Sequence, residues 1–240
     1  MKSLVEPITR TIVLTMILLA CSSSGCVRTD AVSKPPPFEP QELDACLAYV
    51  IDQSPSFEST WEEGGFQLFL KISDQFFLDS VGEDAKLVIA QLSGAGTDKV
   101  VLLEGRPSDI QRRFQSPEDL QEFIRSKAQF GGSNVYESTR AVTDYLMAMP
   151  DVSEKTRMMT VIFSDMVDTE FNEARRIRAG RKMVDSLTDY RELGGSLGVY
   201  FADPSETQRW RKICDEAGFE KGRFVIESTL VENHLLPSFE

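Results

Sequence analysis

Three short stretches place oxygen-bearing side chains where an apolar run stops. LAYVI (47–51) is followed by Asp52-Gln53-Ser54-Pro55-Ser56, an acid and two hydroxyls at every second position. FGGSNVYES holds Gly131-Gly132-Ser133 just ahead of a helical pattern, and VIFSD ends on Asp165. Singly, each has an ordinary explanation: Asp52, Ser54 or Ser56 as a helix cap, Gly-Gly-Ser as a generic loop, Asp165 as the exposed end of a strand. Together they supply two carboxylates and three hydroxyls, all hard oxygen donors. Mg²⁺ takes near-octahedral oxygen coordination and keeps some waters, so a partial protein set with an open position suits it.

For these donors to meet, their loops must leave the same edge of one sheet. The chain alternates in the way that requires. KLVIAQL (86–92), KVVLLEG (99–105), MMTVIFSD (158–165), SLGVYFAD (196–203) and RFVIES (223–228) read as strands beside LAYVI. Residues 57–80 carry a dense helical apolar face interrupted by Gly64-Gly65. Ser116 caps a helix that begins at Pro117 and buries Leu120, Phe123 and Ile124. NVYESTRAVTDYLMAM makes another, with Val135, Val142, Tyr145, Leu146 and Met149 on one face. A long basic helix follows Asp165, with Ile177, Val184, Leu187 and Leu193 as its stripe, and residues 204–218 make a helix ending on Gly218. Strands alternating with such helices predict an α/β fold: a doubly wound, Rossmann-like, mainly parallel sheet with helices on both faces. The short SGAGTD connection (93–98) predicts one antiparallel edge strand. In such a sheet ligands collect beyond the carboxyl ends of the strands, where successive connections leave in opposite directions.

Asp52-Gln53-Ser54-Pro55-Ser56 at the end of the first strand resembles the D-x-S-x-S motif of von Willebrand factor A domains. Gly132-Ser133 before a helix and Asp165 after an apolar strand resemble that family's second and third motifs, and the likeness extends over residues 43–228. The resemblance implies a metal-ion-dependent adhesion site. Ser54, Ser56 and Ser133 would be hydroxyl ligands, with Asp52 and Asp165 binding directly or through water. It also implies a partner protein whose acidic side chain completes the coordination of a divalent cation, Mg²⁺ first among candidates. Ser133 stands where the family usually has threonine, keeping the hydroxyl without the methyl that restrains its rotamer. Met166 stands where glycine is frequent, which predicts a differently shaped loop.

The bulk properties narrow the partners. The 240 residues are enough for one substantial domain with appendages, and 41% hydrophobic with 27% charged residues is a globular composition. A formal charge of −12 argues against a nucleic-acid binder, which would need a basic footprint, and gives no attraction to anionic lipid. Membrane attachment is expected instead at the N-terminus. Lys2 and Arg10 precede TIVLTMILLA, which is too short to span a bilayer but fits the apolar core of an export signal. Leu18-Leu19-Ala20-Cys21 resembles the cleavage box of bacterial lipoproteins, with Cys21 as the lipidated residue and Cys26 as its competitor. The alternative is an ordinary cleaved signal. The organisation expected is a signal over 1–20, a Ser/Pro-rich tether over 21–42, the domain over 43–228 and a tail over 229–240, in a protein exported to the bacterial envelope and facing the periplasm or the cell surface. Cys46 and Cys214 are either a disulfide or two buried thiols, with the buried reading favoured.

No reaction is expected of this chain, but two rival readings stand beside the metal-dependent module. One is an interaction or assembly lipoprotein that works without metal. RRIRAGRK (175–182) could offer such a module a patch for acidic partners, although a solvated helix face is the commoner reading. The other is a metal-dependent phosphoryl-transfer or hydrolytic enzyme. His234, the single histidine, lies in the tail without a neighbouring nucleophile, and no G-x-S-x-G elbow is present. SGAGTDK lacks phosphate-loop spacing, and Asp52 as a phosphoryl acceptor would want a second acid where Ser54 stands.

Overall fold

The structure, a computed structural model, describes residues 42–92, 100–127, 132–228 and 236–238. The export signal with Cys21 and Cys26, nearly all of the tether, the 93–98 connection, Gly131 and His234 lie outside the described residues. Six strands form one sheet in the order β3-β2-β1-β4-β5-β6. They are β1 (Ala45–Ile51), β2 (Ala85–Gln91), β3 (Val101–Gly105), β4 (Arg157–Phe163), β5 (Gly195–Ala202) and β6 (Phe224–Ser228). All pair in parallel except β3, which runs antiparallel to β2 at one edge. This is the doubly wound α/β architecture expected from the sequence. Register sets Ile51 of β1 level with Phe163 of β4, so Asp52 and Ser164 leave the sheet side by side. The chain turns toward β2 after β1 and toward β5 after β4, which makes their shared end the topological switch point.

The two faces follow from the period of two along the central strands. Cys46, Ala48 and Val50 enter one core with Val142, Leu146, Met183, Leu187 and Trp210. Those partners come from helices α5 (Val135–Met147), α6 (Glu173–Glu192) and α7 (Pro204–Glu216). Leu47, Tyr49 and Ile51 enter the other with Phe69, Ile72, Leu120 and Ile124. Its helices are α2 (Phe66–Asp79) and α4 (Pro117–Ser126), and the three-residue α1 (Glu58–Thr60), with no buried residue, precedes α2. With both faces covered, every residue of β1 is buried, which is why it reads as an apolar run rather than an alternating one.

Several helices differ in detail from their sequence patterns. The Gly64-Gly65 interruption is a π-helical turn, Trp61–Gly65, between α1 and α2. A Cβ at Gly65 would lie 2.9 Å from the Trp61 ring, so the glycine admits an indole that packs edge-on to Phe66 and Phe163. A short helix, α3 (Pro107–Arg113), has no buried residue and hence no apolar stripe to announce it. Tyr145 and Ile177, both expected on buried stripes, are exposed at 36% and 49%. The burial of α6 begins only at Met183 and continues through Ser186, Leu187 and Tyr190. Cys46 and Cys214 are free and buried, and burial pushes each thiol up to about 12. The disulfide alternative is thereby set aside. Among the described residues no helix is long and apolar enough to cross a membrane.

Candidate functional site

The loops after β1 and β4, and the segment entering α5, converge on the carboxylate of Asp52, which is 1% exposed. Such a group must be hydrogen-bonded to remain buried. Its Oδ1 accepts from the Ser54 amide at 2.8 Å and from the Ser133 hydroxyl at 3.1 Å. Its Oδ2 accepts from the Ser164 hydroxyl at 2.8 Å. The Ser54 bond folds Asp52-Gln53-Ser54 into an Asx-type turn, which sends the Ser54 and Ser56 side chains to the same side, 3.0 Å apart at Oγ. The Ser56 hydroxyl in turn donates to Asp165 Oδ2 at 3.3 Å. All five sequence-predicted residues thus belong to one hydrogen-bonded group. Asp52, Ser54 and Ser133 form its buried floor, with half-buried Asp165 and exposed Ser56 at the rim.

The electrostatics of this group are one-sided. Among the described residues no Lys, Arg or His pairs with Asp52 or Asp165. Burial raises the pKa of Asp165 and the Asp52 charge adds to that, against the lowering effect of hydrogen bonds from Val167 N–H and Ser56. Two carboxylates and three hydroxyls without a balancing cation are the donor chemistry of a hard divalent ion. Among the described residues no group of three or more His, Cys, Asp or Glu could hold a metal. The candidate set depends on its hydroxyls.

Met166 resolves the question raised by its place beside Asp165. Its φ is +64°, in the left-handed region that glycine enters freely and that costs other residues roughly 1–2 kcal/mol. The conformation is therefore one a glycine would take. Its side chain is buried in the core, and its amide donates to Ser164 Oγ at 2.9 Å. The strain is held by packing on one side and by a hydrogen bond on the other.

Two site neighbours were not evident from the sequence. Ser164 joins the two acid loops by donating to Asp52 while accepting from Met166. Its position directly before Asp165 in FSD is the one available signal. Thr169 donates to the Ser133 carbonyl from its amide at 3.0 Å and from its hydroxyl at 3.3 Å. A Cβ on Gly132 would lie 2.2 Å from Thr169 Oγ1, so the glycine is what lets the two loops close on each other. Gln53 ties the first loop to α4 through a 3.1 Å bond to the Ile124 carbonyl.

No protein-family model matches the chain, and no curated protein sequence does. Among solved structures, the pilus adhesin SpaC from Lactobacillus rhamnosus GG aligns with a TM-score of 0.50 at 12% identity, over 79% of this chain and 29% of the adhesin. The PilB minor pilin from Streptococcus sanguinis aligns with a TM-score of 0.49 at 12% identity, over 78% of this chain and 58% of the pilin. The chain thus spans less than two thirds of either protein. At such identity the likeness to SpaC concerns the fold alone. With the strand order above, the fold is von Willebrand factor A-like.

Proposed function

We propose that this chain is an envelope-anchored protein-binding module that uses a divalent cation to bridge to an acidic side chain of a protein partner. Asp52, Ser54, Ser56, Ser133 and Asp165 would hold the ion, Mg²⁺ first among candidates. The observation that carries the reading is the convergence of two unpaired carboxylates and three hydroxyls in one hydrogen-bonded group at the switch point of the sheet. When bound, the cation supplies a positive centre with a coordination position for the partner's carboxylate. The protein's own residues perform the rest. Ser164 and the Ser54 amide hold Asp52 in place, Thr169 holds the Ser133 loop, and the Ser56 hydroxyl keeps Asp165 turned inward. A partner acid would otherwise face the Asp52 and Asp165 charges, so association by this route should require the ion. That a pilus adhesin uses the same fold supports a binding role over a catalytic one. The anchor belongs to the same proposal: export, and lipidation at Cys21, would tether residues 43–228 to the membrane.

The test is a pull-down from envelope extract with Mg²⁺ or with chelator, using wild type and Asp165→Ala. The expected result is a partner retained only by wild type with Mg²⁺. Equal retention in all four conditions would favour the metal-independent module. Steady phosphoester turnover lost in Asp52→Ala would favour the enzyme. Mass spectrometry of the mature N-terminus tests the anchor, and an unmodified start away from Cys21 and Cys26 rules it out.

A further inference from the structure

The segment that carries Asp165 away from the sheet is unusual in its own right. Val167, Phe171 and Ile177 are 43%, 100% and 49% exposed, so three of the seven large exposed hydrophobics among the described residues fall within this one connection and the first turns of α6. Single exposed hydrophobics are ordinary, and what sets these apart is their concentration in the segment that starts two residues after Asp165. A wholly exposed phenylalanine is also the kind of side chain that anchors interfaces.

The same turns of α6 carry Arg175, Arg176, Arg178, Arg181 and Lys182. Among the described residues none of these forms an ion pair, whereas Lys86, Arg106, Arg125, Arg140, Arg157 and Arg209 all do. The placement is not explained by helix stability. Arg175 and Arg176, in the first turn, oppose the positive end of the helix dipole, and Arg178, Arg181 and Lys182 lie beyond its reach and gain nothing from it. Nor are they held in ion pairs by the acids nearby. Arg175, Arg178 and Lys182 line a groove of about 370 Å³ whose far wall includes Asp168, Glu170 and Glu137. Asp168 accepts from the amides of Tyr136 and Glu170, and Glu170 accepts from that of Asn172. Asp168 and Glu170 keep their charges, yet among the described residues neither they nor Glu137 forms an ion pair with Arg175, Arg178 or Lys182.

We infer that Val167, Phe171 and the basic first half of α6 form a second contact surface for an acidic segment of a protein partner. The segment's charges would lie along Arg175, Arg178 and Lys182, and an apolar side chain would rest on Phe171. This deepens the proposed function, since the surface begins two residues after Asp165 and would extend the same contact, yet it does not itself need the cation. An acidic peptide fits better than a nucleic acid or a lipid bilayer. Glu137, Asp168 and Glu170 share the groove with the cations in a chain of charge −12, so a segment of a few acidic residues meets Arg175, Arg178 and Lys182 with less repulsion than a long polyanion or an anionic membrane would. The exposed aromatic and aliphatic side chains suit a peptide's mixed character.

The test is fluorescence anisotropy of the full chain with a labelled peptide of alternating Asp and Glu around a central Leu. Its Asn/Gln counterpart serves as the control, and each titration is run with Mg²⁺ and with chelator. The acidic peptide should bind in both conditions and weaken as salt is raised, because the groups are exposed. Combined Arg175→Glu, Arg178→Glu and Lys182→Glu should weaken it about tenfold or more. Phe171→Ser should weaken it about fivefold. These residues are exposed, so an unchanged circular dichroism spectrum is expected of both variants. Salt-sensitive binding that survives chelator but not charge reversal upholds the inference even if the cation reading fails. Binding abolished by chelator and untouched by charge reversal overturns the inference and leaves the cation reading standing. No binding at low salt, or stronger binding of phosphatidylglycerol vesicles or an oligonucleotide than of the peptide, also overturns it.

Discussion

At the scale of single residues the site sets two acids against each other. Asp52 is buried and satisfied by three donors, whereas Asp165 is half-buried and receives one backbone bond and one from Ser56. Its raised pKa, from burial first and from Asp52 as well, means that ionisation of Asp165 is harder in the folded than in the unfolded chain. The sign follows: the folded state binds this proton more tightly, so stability falls as pH rises from the unfolded value of about 3.9 through the folded one. The penalty is complete once the pH has passed the folded value. Asp165→Asn keeps an oxygen for the Val167 amide and removes the charge. It is expected to have a higher urea midpoint than wild type at neutral pH in chelator, with the gap closing below about pH 4. The same variant should lose any gain from Mg²⁺. A lower midpoint than wild type at neutral pH would show that Asp165 is there for the fold rather than for an ion. The convergence of Asp52, Ser54, Ser56, Ser133 and Asp165 was legible because acids and hydroxyls cluster where apolar runs stop, and the fold brings those ends together. Ser164 was not, since one serine at a strand end has no pattern, and its role depends on β1 and β4 being neighbours.

At the scale of elements, the strands declared themselves because residues buried on both faces leave little freedom of composition, as in β1 and β4. Helices that lie wholly against the sheet were nearly as clear. The failures have a common cause: a helical period shows which face is apolar, not how far along the helix the core extends. Ile177 lies on the expected stripe of α6 but ahead of Met183, where the helix's burial begins, and Tyr145 reaches out to Glu104 on β3. The π-helical turn before α2 was visible only as an interruption, because its cause is the tertiary packing of Trp61 over Gly65. Loop closure at the site belongs to this scale too. In Gly132→Ala the new methyl meets Thr169, which must turn and give up its hydroxyl bond to the Ser133 carbonyl. The expected loss of stability is about 0.5–1.5 kcal/mol in a urea titration. Thr169→Ser in that background, freed of its methyl, should not repair it, but Thr169→Gly should relieve the clash. Non-additivity between positions 132 and 169 is the readout, and independent effects would mean that the two loops are not coupled.

At the scale of the whole molecule, the two cores and the central β1–β4 pair make a rigid frame, and the site uses only its carboxyl edge. A frame of this kind gains stability from anything that binds the folded state alone. A cation at about one hundred times its dissociation constant adds about 2.7 kcal/mol, which for a domain of this size raises the melting temperature by about 5–10 °C. Net charge complicates the measurement. A chain of −12 repels itself, so any salt relieves some of that repulsion and Mg²⁺ would do so without a specific site. The comparison that separates the two effects is Mg²⁺ against NaCl of equal ionic strength, in wild type and in Ser133→Ala. Ser133→Ala deletes one proposed ligand oxygen and leaves the net charge untouched. General screening predicts the same rise in both proteins and in both salts. A built site predicts a rise in wild type that exceeds the NaCl control by several degrees and is lost in Ser133→Ala. A wild-type rise equal to the NaCl control would mean that the acids are held by their hydrogen bonds alone, and the metal-independent module would be the better account.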